Sequence, residues 1–141
     1  KKEKNFCLTY GDGLADVDII KQIKFHKKHK KLATILAVHP PARFGLLNIK
    51  NNLVSKFEEK PKKNFNSGWI NGGFFVLSTK IFKFIKNSKT VWEREPLERI
   101  TKLGQLKPFI HEKFWIAMDT IRDKKDIEIL IKSKKAPWIK W

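Results

Sequence analysis

The fold is decided by the stretch Asn5–Val38, which reads NFCLTYGDGLADVDIIKQIKFHKKHKKLATILAV. Its first part, Phe6–Tyr10, is a short apolar run closed by Gly11-Asp12-Gly13. An apolar run that ends in glycines is typical of an interior strand followed by a tight loop. We therefore predict a strand that places Asp12 just past its carboxyl end.

A helix and a second strand follow this loop. Between Val17 and His29, apolar residues recur at helical spacing with lysines on the other face, and Asp16 precedes them as a candidate N-cap. Leu32–Val38 is continuously apolar, which predicts a strand covered on both faces in a parallel or mixed sheet. Strand, helix and strand in this order predict a βαβ unit.

The remaining chain continues the alternation of strands and helices. Its pattern predicts a hairpin over residues 44–58, a strand with an internal glycine pair over 69–77 and a short helix over 79–86. A helix opened by proline over 95–104, a strand over 106–110 and a last helix over about 119–132 follow. The sequence therefore predicts an α/β protein with a mixed, mainly parallel sheet flanked by helices.

Length and composition limit the classes of protein that this chain can represent. Its 141 residues suffice for one domain, and 41% apolar residues exclude whole-chain disorder. No stretch approaches the roughly 20 apolar residues of a membrane span. The single cysteine, Cys7, cannot form an internal disulfide, which fits a reducing, cytoplasmic compartment. The four histidines show no metal-binding spacing.

The net charge of +17 raises the hypothesis of a basic nucleic-acid-binding module. Two observations argue against nucleic acid. Only four of the 31 basic residues are arginines, and arginine is the residue that favours base reading and bidentate phosphate contacts. The lysines are also spread along the chain instead of forming one tract. Part of this charge can still attract small anions such as nucleotides and sugar phosphates.

Two aspartates stand where α/β sheets commonly bind ligands. Asp12 lies between two glycines past the first strand, where phosphate can approach the backbone and a carboxylate can bind Mg²⁺. Asp119 lies between an aromatic-rich run and the last helix. Each has an ordinary alternative, since aspartate is common in turns and at helix N-caps.

Two further motifs carry polar groups at the ends of strands. In Glu59-Lys60 the lysine can place an ammonium group on a phosphate, and the alternative is a solvated lysine at an edge. In Asn71-Gly72-Gly73 an amide lies beside exposed backbone, which suits hydrogen bonding to hydroxyl groups. The alternative for the second motif is a β-bulge with the asparagine in a turn.

Taken together and in this order, the motifs resemble those of the sugar-phosphate nucleotidyltransferases, and within them the members that use CTP and glucose 1-phosphate. The resemblance extends from about Phe6 to Trp141. The matching segments are TYGDGLAD (9–16), PPARFG (40–45), EKPK (59–62), INGGFFVL (70–77), WEREPL (92–97), MDTIRD (118–123) and KAPW (135–138).

The resemblance implies a partial Rossmann-like nucleotidyltransferase fold and a reaction. CTP and glucose 1-phosphate would give CDP-glucose and pyrophosphate with Mg²⁺, for deoxysugar, O-antigen and lipopolysaccharide synthesis. By resemblance, Asp12 and Asp119 hold the metal and Lys60 contacts the sugar phosphate, and these three form the catalytic set.

The substrate-binding residues are also implied by the resemblance. Glu59 and Asn71 match residues that bind glucose hydroxyls, whereas Gly72 and Trp92 fall in the wall on the sugar side. Gly11 would let a phosphate group come close to the backbone beside Asp12.

The chain departs from the family at its start, because the Gly-rich nucleotide-binding loop is absent. We therefore expect residues 1–141 to be the C-terminal, sugar-phosphate-binding part of a single nucleotidyltransferase domain, inactive without its N-terminal half. A uridylyl or other nucleotidyl transfer stays open because the missing part selects the nucleobase. A remnant of a split gene and homo-oligomer formation also stay open.

Overall fold

The computed structural model describes residues 4–40, 46–50, 53–58 and 68–139. The strands in these ranges are β1 (Asn5–Thr9), β2 (Gly13–Ala15), β3 (Ala33–Val38), β4 (Leu46–Lys50), β5 (Leu53–Glu58), β6 (Ile70–Ser78), β7 (Leu106–Ile110) and β8 (Trp115–Ala117). The helices are α1 (Ile19–His29), α2 (Glu95–Lys102) and α3 (Ile121–Lys132), with a 3-10 helix over Thr79–Phe84.

The main sheet has four strands in the order β1-β6-β3-β7. Strands β1, β3 and β7 run in one direction, and β6 lies antiparallel between β1 and β3. The predicted mixed sheet is confirmed, and α1 connects β1 to β3 across the intervening β6. Two smaller pairs, β2-β8 and the predicted hairpin β4-β5, complete the strands of the described ranges.

Both faces of the main sheet are covered, as the continuous apolar sequence of β3 predicts. On one face, Ala33 packs with Phe75 and with Ile100 of α2. On the other face, Leu36 and Val38 form a second cluster, against which residues of β2 and β8 pack. A strand buried on both sides has no solvent-facing positions, which explains why it contains no charged residue.

The start of α1 differs from the sequence prediction. Asp18, and not Asp16, is the N-cap, because its side chain accepts a hydrogen bond from the backbone N–H of Lys21. The carboxylate of Asp16 instead lies 3.0 Å from Nε2 of the buried His111. Because Asp16 contacts His111, it does not cap the helix, and α1 begins only after Asp18. The last helix lies close to its predicted range, but its N-cap is Thr120, so the alternative role of Asp119 as a helix N-cap is wrong.

A bulge interrupts the pairing of β6 with β3. Ile35 pairs with Phe75, but the next pair is Ala37 with Asn71, so three residues of β6 face one residue of β3. Extra residues in one strand bend it and turn side chains away from the regular alternation. The bulge therefore redirects the start of β6, where the Asn-Gly-Gly motif lies.

Close approach of other atoms explains the glycine pair in this bulge. A Cβ on Gly72 would lie 3.0 Å from Cγ1 of Val38. Gly73 has φ +76°, and a Cβ there would lie 2.9 Å from Cδ2 of Tyr10. Any larger residue at the second position combines left-handed strain with a clash against the tyrosine ring.

A directed chain of hydrogen bonds joins α1 to the sheet. The backbone N–H of Lys31 donates to Nδ1 of His29 (2.9 Å), so the neutral ring carries its proton on Nε2, which donates to Thr34 Oγ1 (2.8 Å). The Thr34 hydroxyl donates to Nδ1 of His26 (2.9 Å), and Nε2 of His26 donates to Asn5 Oδ1 (3.3 Å). Both imidazoles must be neutral for this order of donors to hold.

We predict that His26 makes the fold less stable in mild acid. Burial lowers the pKa of His26 from 6.5 to about 4, and the neighbouring His29 adds to this. Below pH 6.5 the unfolded chain takes up a proton that the folded chain accepts only near pH 4. The free energy of unfolding should therefore fall by about 2 kcal/mol from pH 7 to pH 5 through this residue.

Urea unfolding at pH 7, 6 and 5 measures this effect. The variant His26→Gln should lose the corresponding part of the pH slope, whatever its stability at pH 7. An unchanged slope in the variant would show that His26 does not carry the effect.

We predict that Gly73→Ala destabilises the protein more than Gly104→Ala. Both glycines have positive φ, +76° and +63°, but a Cβ on Gly104 meets nothing within 4 Å. The free energy of unfolding of the control, Gly104→Ala, should fall by about 1 kcal/mol from backbone strain alone. That of Gly73→Ala should fall by about 1–3 kcal/mol more because of the clash with Tyr10. Chemical denaturation of both variants checks the difference, and equal losses would contradict the close approach.

Candidate functional site

The site is built where β1 ends and β6 begins. The backbone N–H of Tyr10 donates to the carbonyl of Gly73 at 3.0 Å, so the end of β1 is fixed against the bulge. The chain then turns through the exposed residues Gly11 and Asp12 into β2. A Cβ on Gly11 would meet nothing within 4 Å, which leaves open space beside its backbone.

Pairing of β2 with β8 places the backbone segments that carry Asp12 and Asp119 next to each other. Gly13 pairs with Ala117, and the N–H of Met118 donates to the carbonyl of Asp12 at 2.9 Å. Asp119 is the next residue and is also exposed. The segments that carry the two aspartates, far apart in sequence, are thus joined by one hydrogen bond. Both aspartates are exposed to solvent.

Asn71 is held in the bulge by both ends of its amide. Its Oδ1 accepts from the backbone N–H of Gly73 at 2.9 Å, and its Nδ2 donates to the hydroxyl of Tyr10 at 3.0 Å. After these two hydrogen bonds, Nδ2 keeps one hydrogen and Oδ1 keeps one lone pair for a further partner. Asn71 is therefore oriented by the protein and can still bind a hydroxyl group.

Tyr10 connects this amide to the turn before α2. Burial raises the pKa of Tyr10 to about 12, and a hydrogen bond to the Glu93 side chain adds to the effect. The phenol hydroxyl accepts the hydrogen bond from Asn71, and the nearby Glu93 carboxylate also raises the pKa through its negative charge. We call the set Glu93, Tyr10, Asn71 and Gly73 the tyrosine clamp.

Gly72 and Trp92 lie in packed surroundings. Gly72 is buried in β6, next to β3, and its carbonyl accepts a hydrogen bond of 2.9 Å from Nε1 of Trp115. The ring of Trp92 packs edge-on against Phe75, with centroids 5.8 Å apart. Its Nε1 is buried and has no acceptor within the described ranges. A sugar contact by either residue stays a prediction.

The remaining predicted residues lie outside the described part of the chain. These are Glu59 and Lys60, so their roles stay predictions. In the described ranges, no three histidine, cysteine, aspartate or glutamate residues gather as a metal cluster. A metal role for Asp12 and Asp119 stays a prediction. In the same ranges, no helix has the length and apolar character needed to cross a membrane.

Sequence reasoning missed the tyrosine clamp. Tyr10 and Glu93 both stand in segments that carry the resemblance, but neither was a candidate on its own. No local signal links them, because the contact depends on the turn before α2 packing over the end of β1. Their chemical types, a phenol and a carboxylate, are too common to mark the pair in the sequence.

Comparisons with known proteins show the family of this chain. A family model described as nucleotidyl transferase matches residues 1–107. The chain is 48% identical, over all its 141 residues, to glucose-1-phosphate cytidylyltransferase of Salmonella typhimurium, of which it covers 54%. It is 30% identical over 128 residues to mannose-1-phosphate guanyltransferase of Emericella nidulans, covering 87% of this chain and 35% of that protein.

A solved structure shows the same fold. A Bacillus anthracis chain assigned as a glucose-1-phosphate thymidylyltransferase, crystallised with sucrose, superimposes with a TM-score of 0.64 at 23% identity. The match covers 99% of this chain and 57% of that one. The chain spans about half the length of the glucose-1-phosphate cytidylyltransferase that it matches. Since the family model covers most of its residues, this chain belongs to the nucleotidyl transferase family.

Proposed function

We propose that this chain is the sugar-phosphate-binding and metal-binding part of a glucose-1-phosphate cytidylyltransferase. The whole enzyme would convert CTP and glucose 1-phosphate to CDP-glucose and pyrophosphate. The observation that carries the proposal is the bond between Met118 and Asp12, which brings the two acidic segments together at a sheet end. The 48% identity over the full chain supports the same substrates.

The donor set at this sheet end fits Mg²⁺. This ion is usually held by one or two carboxylates together with phosphate oxygens and water, so it needs no larger protein cluster. Asp12 and Asp119 would supply the two carboxylates. When bound, the ion would neutralise the phosphates and hold them in line.

The residues of the chain position the reactants and need not react themselves. A phosphate oxygen of glucose 1-phosphate forms a bond to the α-phosphorus of CTP, and the bond from that phosphorus to the leaving pyrophosphate breaks. Phosphoryl-type transfer of this kind depends on alignment and charge neutralisation. Lys60 would offset the negative charge on the sugar phosphate, and the open backbone at Gly11 would leave room for it.

The tyrosine clamp would orient the glucose. Asn71 keeps one amide hydrogen and one lone pair for a sugar hydroxyl, while Tyr10 and Gly73 fix the plane of its amide. Glu59 would bind a second hydroxyl, and Trp92 would form part of the wall around the sugar. A prepositioned amide binds a hydroxyl without a further entropic cost of ordering, which favours binding.

A second candidate function is transfer of a different nucleotide to a sugar 1-phosphate. The 30% identity to a mannose-1-phosphate guanyltransferase favours it, because that protein's name gives another base and another sugar. A product assay of the whole enzyme with the four nucleoside triphosphates, each paired with both sugar phosphates, separates the two functions. The single cysteine makes a cytoplasmic site of action our expectation for both.

We predict that Asp12→Asn in the whole enzyme reduces turnover by at least about 100-fold, because one of two anionic metal ligands is lost. Asp119→Asn should behave alike. Mg²⁺-dependent release of pyrophosphate measures the loss. The matched control is Asp126→Asn, which removes an exposed carboxylate from α3 and should leave turnover unchanged. Undiminished release by both site variants would contradict the proposed metal role.

We predict that Tyr10→Phe raises the KM for glucose 1-phosphate about fivefold to tenfold, since Asn71 loses a fixed hydrogen bond of about 1 kcal/mol. The KM for CTP should not change. Asn71→Ala should raise the same KM, and the double variant should be no worse than Asn71→Ala alone. Additive effects on KM would show that Tyr10 does not act by positioning Asn71.

A further inference from the structure

A second concave surface lies at the opposite end of the main sheet from Asp12. It is a cavity of about 420 Å³ beside the start of β1, the end of α1 and the start of the 3-10 helix. Five of its ten lining residues are lysines, namely Lys4, Lys27, Lys30, Lys31 and Lys80. We call this surface the lysine cavity. The length of β1, about 17 Å, separates it from the site end.

Among the described residues that line the lysine cavity, no acidic side chain balances the lysines. No aspartate or glutamate is among the ten lining residues, whereas a cavity beside α2 is lined by Arg94, Glu95, Glu98, Arg99 and Lys102 and so has both signs. Lysines make up half of the lining but only 27 of the 141 residues of the chain. Concave surfaces with one sign of charge concentrate the field and attract counter-ions.

The floor of the lysine cavity is rigid and uncharged. His26 lines it, is 2% exposed and donates to Asn5, another lining residue. The N–H of Lys31 is bound by His29 in the same directed chain of hydrogen bonds. The backbone around the lysines is therefore ordered before any anion arrives, which reduces the entropic cost of binding.

The arrangement of the lysines favours a compact anion over a nucleic acid. They come from three separate segments and converge on one cavity, whereas a nucleic acid needs basic groups along a track of successive phosphates. No arginine is among the described residues that line the cavity. We propose that the lysine cavity is a second anion site that binds a diphosphate or triphosphate group, either free or carried by a nucleotide.

One lysine allows the fold and the binding to be tested separately. Lys30 closes α1 in the left-handed conformation, with φ 57°, where glycine is the favoured residue. Lys134, after α3, has the same conformation, with φ 55°, and does not line the cavity. Lys30→Gly and Lys134→Gly therefore each remove one charge and one strained residue, and both should raise Tm.

The experiment titrates the full chain with inorganic pyrophosphate, CTP and CMP in the presence of EDTA, and follows the backbone amide signals by NMR. Pyrophosphate should give saturable shifts at Asn5, Lys31 and Thr79 and none at Asp12. Lys30→Gly should weaken this binding about fivefold or more, because a charge-assisted contact is lost. Lys134→Gly should change it less than twofold.

The nucleotide arms identify the source of the phosphate group. Tighter binding of CTP than of pyrophosphate would support a nucleotide ligand, and equal binding would support free diphosphate, with CMP weaker in both cases. Equal weakening by the two glycine variants would overturn the proposal. So would shifts that do not saturate, or a single-stranded oligonucleotide that binds more tightly and shifts signals along α1 and α3.

Discussion

Three residues of β6 face a single residue of β3, and this mismatch sets the geometry of the site end of the sheet. The extra length lets Gly73 adopt a left-handed conformation against the ring of Tyr10, and it turns Asn71 toward the tyrosine hydroxyl. A regular strand would direct this amide by simple alternation. The orientation of the amide thus depends on a backbone irregularity that only a glycine pair can form.

The sheet has two chemically different ends. At one end, β1 leads to Asp12 and to the neighbouring segment of Asp119, where carboxylates are exposed. At the other end, β1 starts beside the lysine cavity, where the neutral His26 forms the floor. In our proposals both ends bind phosphate groups, the first through a metal and the second through ammonium groups. Separation by the length of a strand allows each to change without disturbing the other.

Elements with a local signal were predictable from the sequence. Strands β1, β3 and β7, the hairpin β4-β5 and the Gly-containing strand β6 follow from short-range patterns, and the structure has them. The short strands β2 and β8, which join the segments of Asp12 and Asp119, were not predicted. The N-cap of α1 was not predictable, because Asp16 contacts His111, which is distant in the sequence. The contact of Tyr10 with Glu93 was not predictable for the same reason. Packing between distant segments decides such contacts, and composition or spacing does not record it.

The position of β6 also governs how the chain can reach its final state. β1 and β3 both precede β6 in the chain, yet they lie two strand spacings apart, about 9.5 Å, with β6 between them. Asn5 pairs with Ser78 and Phe6 with Leu77, so the central ladder forms only after a long loop has closed. Such non-local pairing slows folding. Until β6 pairs with them, the facing edges of β1 and β3 have unpaired backbone groups that are open to non-native strand pairing.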